Sequence, residues 1–206
     1  MANFSYTSLR TFSWLATGSL VVLAVVAAPL TVNAETTSTA ISSSIGSTIG
    51  VLTSSGTVNL NATPDADGVQ TIAADTVTVS TNNSAGYNLK LGLTAAQATL
   101  VSGGNSIAAA SGTFAAPAAL GANSWGYRVD GAGTFGAGPT NGLTSLTYVA
   151  TTFARVPATA LPDTIKTTAT TATNNTTAVW YSVAVNTATP SGVYTGNVTY
   201  TATTNP

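Results

Sequence analysis

Cysteine and histidine are both missing from this chain of 206 residues, and charge is nearly so. The first absence removes thiolate nucleophiles, disulfides and cysteine-bearing zinc sites. The second removes imidazole acid–base catalysis and histidine ligands. Without disulfides the chain must be stable through its core, which is feasible because a domain of about 150 residues buries roughly 68–70% of its unfolded surface. Only 5 Lys plus Arg and 6 Asp plus Glu are present, so charged residues make up 5% of the chain where an ordinary soluble domain has about 25%. Solubility then rests on hydroxyls and amides. A net charge of −1, with no cluster of Lys and Arg, gives no footprint for a phosphate backbone, and nucleic acid is not an expected partner. Weak charge also means weak repulsion between copies, which permits close self-association.

What is present begins with an address. "LRTFSWLATGSLVVLAVVAAPLTVNA" sets Arg10 before an apolar stretch, followed by Pro29 and small residues. That order is the grammar of a secretory signal, with Val32, Asn33 and Ala34 as the cleavage-site triplet before Glu35. The competing reading is a retained membrane helix. The run from Thr11 to Ala28 is diluted by Thr11, Ser13, Thr17, Gly18 and Ser19 and lies at the lower limit for spanning, about 17–25 residues. We therefore expect residues 1–34 to be removed and no stable membrane span to remain. No cysteine follows the apolar run, so a lipoprotein-type modification is not expected.

The rest of the chain alternates with period 2, the signature of half-buried strands. Val77 and Val79 share one side of "TVTVST"; Tyr87, Leu89, Leu91 and Leu93 share one side of "YNLKLGL". Trp125, Tyr127 and Val129 line up with Arg128 opposite, and so do Val179, Tyr181, Val183 and Val185. The final run places Tyr194, Val198, Tyr200 and Ala202 together, with threonines opposite that favour extended backbone while keeping a hydroxyl in water. "DADG", "NNSAG" and "TPSG" are turn signals, and Thr189 to Gly192 is expected to join the last two strands as a hairpin. "DGAGTFGAGPTNG" is too glycine-rich for a regular element, and "LTAAQATLVS" allows one helical turn. The expected fold is all-β: a single antiparallel β-sandwich of Ig-like or jelly-roll character over residues 57–206.

Between the cleavage site and that domain lies "ETTSTAISSSIGSTIGVLTSSG", residues 35–56. Its composition suits a flexible arm. Yet Ile41, Ile45, Ile49 and Val51 all fall on odd positions, the parity by which a strand shows its apolar residues to one side. An extra strand of this kind can pair with the open sheet edge of another copy, as in strand addition between subunits.

The segments "TVTVSTNNSAGYNLKLGL" and "TFARVPATALPDTIKTTATTATNNTTAVWYSVAVNTATPSGVYTGNVTYTATTNP" resemble exported β-proteins of candidate phyla radiation bacteria. More broadly they are similar to WxL-type, spore-coat-U and pilin-like surface domains. The resemblance implies a cell-surface or filament-forming β-sandwich. The tryptophans stand in "SWGY" and "VWYS", not in a W-x-L triplet, so the peptidoglycan association of WxL domains is not carried over. Nor is sortase attachment expected, since no LPxTG-like signal is found.

Other candidate sites have plainer readings. Asp65, Asp67 and Asp75 offer oxygen ligands for Ca²⁺ but lack the further ligands of a full loop, so an Asp-rich turn is expected. Lys90 and Lys166 are isopeptide candidates only if buried beside a carboxylate. Trp125, Tyr127, Trp180, Tyr181, Tyr194 and Tyr200 have the faces for a sugar platform, but most of them sit on the alternating sides assigned to the core. The triplets at Asn82, Asn174, Asn175 and Asn197 are common in a chain so rich in Asn and Thr. The expectation is thus a secreted, non-enzymatic structural or adhesive protein without cofactor, partnered by itself or by other surface proteins. The alternative is a monomeric extracellular module that binds glycan or peptide.

The signal reading has a direct check. N-terminal sequencing of the protein recovered from the medium or envelope is expected to begin at Glu35, and replacing Ala34 by Arg is expected to leave the uncleaved precursor.

Overall fold

The computed structural model describes residues 38–94, 98–137 and 151–206. All regular structure among them is strand: β1 (Ile49–Thr53), β2 (Val69–Thr81), β3 (Tyr87–Leu93), β4 (Leu100–Ser102), β5 (Asn105–Ala109), β6 (Ser124–Val129), β7 (Asp163–Thr167), β8 (Ala172–Val185) and β9 (Val198–Thr204). These strands lie in a compact unit of residues 44–206; residues 38–43 belong to a separate unit, where they are exposed and without regular structure.

Two sheets result, one ordered β1-β2-β8-β6-β5-β4 and one ordered β7-β3-β9. Neighbours are antiparallel except β5 and β6, which pair in parallel through Ala108 and Ala109. The longest ladder joins β2 to β8, unbroken from Val69 opposite Val185 to Val79 opposite Asn175. Beyond it β8 bulges: Asn174 takes a left-handed φ of 50° and its backbone N–H reaches Ser80 Oγ at 3.0 Å. Asn tolerates that conformation better than most residues, and the bulge lets Ala172 regain its place opposite Thr81.

Alternation produces the core. Val77 and Val79 from β2, Tyr87, Leu89, Leu91 and Leu93 from β3, Trp125, Tyr127 and Val129 from β6, Ile165 from β7, and Val179, Tyr181, Val183 and Val185 from β8 form one buried cluster. Val198, Tyr200 and Ala202 of β9 pack against it. Each large apolar side chain so covered contributes roughly 1.5–3 kcal/mol, which replaces the disulfides the chain lacks.

Two expectations are corrected. The turn at Thr189 to Gly192 does not make a hairpin, because β8 and β9 belong to different sheets. After the turn, Thr195 exchanges two backbone hydrogen bonds with Val101 of β4, at 2.9 and 3.0 Å, and the chain then crosses to pair with β3. A turn signal reports where the chain bends, not which strand it meets next. Leu100, Val101 and Ser102 of the candidate helical turn are strand, paired with β5; residues 95–97 lie outside the described residues.

Arg128 has an unusual place. Alternation sets it opposite the apolar residues of β6, where solvent is the usual surrounding, but all six residues of β6 are buried and Arg128 is 1% exposed. Its guanidinium donates to Asp130 Oδ1 (2.8 Å), Thr152 O (3.2 Å), Phe135 O (3.0 Å) and Gly136 O (3.2 Å), and lies 5.7 Å from the Phe135 ring centre. The planar fork of donors thus gathers the glycine-rich loop onto the sheet. Gly126 serves the same closure: a Cβ there would stand 2.6 Å from Ala154 O, and Ala154 exchanges hydrogen bonds of 2.8 Å with Tyr127 at the edge of β6.

Replacing Arg128 by Met strands Asp130 and three carbonyls. The expected loss is about 1–3 kcal/mol per buried acceptor left unpaired, read as a lower denaturant midpoint in urea unfolding, and Asp130→Asn, which leaves the buried guanidinium without its counter-charge, is expected to lower the midpoint at least as far.

Candidate assembly site

The segment singled out by parity enters the compact unit at its edge. Ile49 and Val51 lie in β1, which pairs with Thr81 to Val77 at the end of β2. Ser54 N–H donates to Thr76 O at 2.8 Å. Antiparallel alternation then turns the backbone groups of Leu52 and Gly50 toward β2 and those of Thr53, Val51 and Ile49 away from it. Upstream, Asn82 continues the pattern as a clip: its Oδ1 accepts from Thr48 N–H (2.7 Å) and its Nδ2 donates to Gly46 O (3.0 Å). Thr81 Oγ1 adds a bond of 2.6 Å to Thr48 O. Side chains at odd positions of β1 share the core side with Val77 and Val79.

Few apolar groups in this segment are covered. Ile49 is partly buried, Val51 and Leu52 are exposed, and Ile45 and Ile41 are 86% and 93% exposed. At its other end β1 is pinned by a buried carboxylate: Asp75 Oδ1 accepts from Ser54 Oγ at 2.9 Å and from Ser55 N–H at 3.4 Å. The outcome is a short edge strand fixed at both ends and open along its outer side.

Two other sheet edges are treated differently, whereas β9, also at a sheet edge, is uncharged like β1. β4 is closed by Thr195. β7 carries Lys166 and follows Pro162, both of which discourage pairing with another strand. β1 has neither charge nor proline nor bulge, and no charged residue occurs between Glu35 and Asp65.

The remaining candidates separate. Asp65 and Asp67 are exposed in the turn before β2, whereas Asp75 is buried on the strand and holds Ser54 and Ser55, so the three do not converge. Among the described residues no group of three acidic side chains is placed to hold a metal. Lys90 is half-buried on β3. Lys166 donates to Thr176 O at 2.8 Å, and burial lowers its pKa, but that partner is a carbonyl and not the carboxylate an isopeptide reaction needs. Asn82 is the clip, Asn174 the bulge, and Asn175 accepts from Tyr87 O–H at 2.9 Å. The signal cleavage pair Ala34 and Glu35 lies outside the described residues.

Trp125, Tyr127 and Tyr181 pack into the core with Tyr194 and Tyr200 against them, whereas Trp180 is half-buried on the opposite side of β8. Tyr127 O–H donates to Asp163 Oδ2 (2.7 Å), linking β6 to β7, and the Tyr181 and Tyr200 hydroxyls meet at 2.7 Å, linking β8 to β9. Each bond ties one sheet to the other. Sequence reading missed this function of the phenols; the signal was tyrosine, the aromatic with a polar tip, at positions whose neighbours are valine and leucine. Burial raises the pKa of all three, helped at Tyr127 by Asp163, at Tyr181 by Tyr200 and then Asp75, and at Tyr200 by Asp75. A shallow pocket of about 130 Å³ lined by Gly92, Leu93, Thr94, Thr159, Pro162, Thr199 and Thr201 lies where β3 meets β9. Drug-sized ligand sites run to about 300–1,000 Å³.

Comparison with protein-family models, with curated proteins and with solved structures finds no match for this chain.

The phenols give a pH dependence of known sign. Their folded pKa values lie above the unfolded value of about 10, so their contribution is complete below that pH and is lost as the pH rises past it, where the unfolded chain releases protons that the native state retains. Denaturant midpoints are expected to hold at pH 9 and fall at pH 11. Phenolate absorbance from Tyr127, Tyr181 and Tyr200 should appear only together with loss of the β-sheet circular-dichroism signal; smooth titration near pH 10 in an intact fold would contradict the burial argument.

Proposed function

We propose that this is an exported, non-enzymatic structural or adhesive protein of a bacterial surface, a single β-sandwich subunit that assembles by strand addition through its N-terminal arm. One observation carries the reading: an uncharged segment with Ile41 and Ile45 almost fully exposed leads into the unguarded edge strand β1. Isolated exposed apolar residues are ordinary on a protein surface. These two precede an edge whose backbone donors and acceptors are free to pair, and main-chain hydrogen bonding along such an edge supplies affinity while alternate side chains supply specificity.

Several features support the structural class over an enzyme. The inventory offers no thiol or imidazole, and the described carboxylates and lysines are dispersed among different elements. The buried charged and phenolic groups are engaged in holding the sheets and loops. Export is supported by the N-terminal pattern and by the resemblance to surface β-domains. Nearly chargeless faces rich in threonine suit close packing of copies, since little electrostatic repulsion has to be overcome.

Deletion of residues 38–45 tests the reading, because it leaves β1, the Asn82 clip and the core in place. Protein expressed from the full-length sequence is expected to form oligomers by light scattering, and the deletion to give monomers with an unchanged β-sheet spectrum. Oligomers unaffected by the deletion would refute assembly through the arm. A wild-type monomer that binds glycans on an array would favour the binding module instead.

A further inference from the structure

We infer that the edge which receives the arm is the outer side of β1 in a second copy of the same chain, and that the exchange is reciprocal: two copies pair about a two-fold axis near Ser47. This rests on the reading of the arm as an assembly element and adds its partner, its acceptor and its symmetry.

Backbone direction sets which groups of the edge are open. Ser54 N–H faces β2 through its bond to Thr76, and Thr48 N–H and Gly46 O face the same way through Asn82. Positions 46, 48 and 54 are therefore turned inward. Alternation turns Ile45, Ser47, Ile49, Val51 and Thr53 outward, their N–H and C=O groups aligned along one open edge. β1 stops at Ile49 because its partner stops: Ile49 is opposite Thr81, the last residue of β2, after which the chain turns at Asn83 to Gly86. The segment before Ile49 consequently has no strand of its own sheet to pair with.

A second copy removes both deficiencies at once. In an antiparallel pair, opposite residues project to the same side of the sheet. With the axis at Ser47, residues 41–47 of each copy cover residues 47–53 of the other, which sets Ile45 opposite Ile49, Ser43 opposite Val51 and Ile41 opposite Thr53. All these positions are odd. The exposed isoleucines then fall on the core side, beside the partly buried Ile49. A pairing of two identical edges is isologous and closes as a dimer, without generating a filament. The absence of any charge from residue 36 to residue 64 leaves nothing on either edge to repel the other. β9 is the competing acceptor, since it too is an uncharged edge and lies alongside β1.

The test removes the outward donor. Val51→Pro deletes an N–H that points away from β2, and proline is tolerated at such positions of edge strands. Val51→Ala controls for the lost side chain. The molar mass of wild type and Val51→Ala is expected to be that of a dimer, and that of Val51→Pro to fall two-fold at the same β-sheet content. A dimer retained by Val51→Pro but lost on deletion of residues 38–45 would overturn β1 as acceptor and direct attention to β9, while leaving assembly through the arm intact. A wild type larger than a dimer would overturn the closed two-fold; a monomeric wild type would overturn both readings. Should Val51→Pro fail to fold, an equimolar mixture of Ile45→Cys and Ile49→Cys chains decides the matter, because no native cysteine interferes. Oxidation is expected to link them as a covalent heterodimer, and absence of that product overturns the proposed register.

Discussion

The ladder between β2 and β8 is the constraint to which the other elements are referred. Its register decides which residues of both strands face the core. A slip by one position would set Val77 and Val79 on the opposite side of the sheet from Val179 and Tyr181, so that one of the two sets lost the core, since side chains alternate with period 2. β1 takes its place from β2, and β6 takes its place from β8. With so few charges, opposite-charge pairs across strands have little part in choosing the register. Apolar parity chooses it, and the bulge at Asn174 ends it.

Scarcity of charge also shapes the polar contacts. Between the sheets, phenols meet each other or a carboxylate; at the end of β9, Asn205 side-chain amide donates to Ala85 O and Thr168 O, while Asn83 donates to Asn205 O. Bonds of this sort add only about 0.5–1.5 kcal/mol each, but leaving such buried groups unpaired costs more. They therefore act mainly by excluding other arrangements. Arg128 is the exception, a buried cation whose four bonds organise a loop that would otherwise have little reason to adopt one shape. The same economy leaves the outer side of β1 without the lysines that commonly protect an edge.

Much of the core was legible from alternation alone. The faces of Val77 and Val79, of Tyr87 through Leu93, and of Val179 through Val185 follow from sequence because period 2 reports the side that meets the other sheet, although the end of β8 is covered on its other side as well, at Ser182 and Ala184. β6 was legible only on one side. Burial of Arg128 and Gly126 depends on loops that return over the sheet from residues far along the chain, and no local pattern records that. The partner of β9 was misread for a similar reason: turn chemistry at Pro190 and Gly192 is local, whereas the two bonds between Val101 and Thr195 are not. At the arm, parity marked the isoleucines, but the role of Asn82 as a clip and of Asp75 as a pin required the fold.

The pairing of Val69 with Val185 has a bearing on how the molecule comes into being. A nascent chain synthesised at about 5–20 residues per second waits on the order of ten seconds between the appearance of the first and the appearance of the second. β3 waits in the same way for β9. Non-local pairing of this kind makes for slow folding. Throughout the delay neither the β2–β8 ladder nor the β3–β9 ladder can close, so both sheets are completed only once the last part of the chain has appeared.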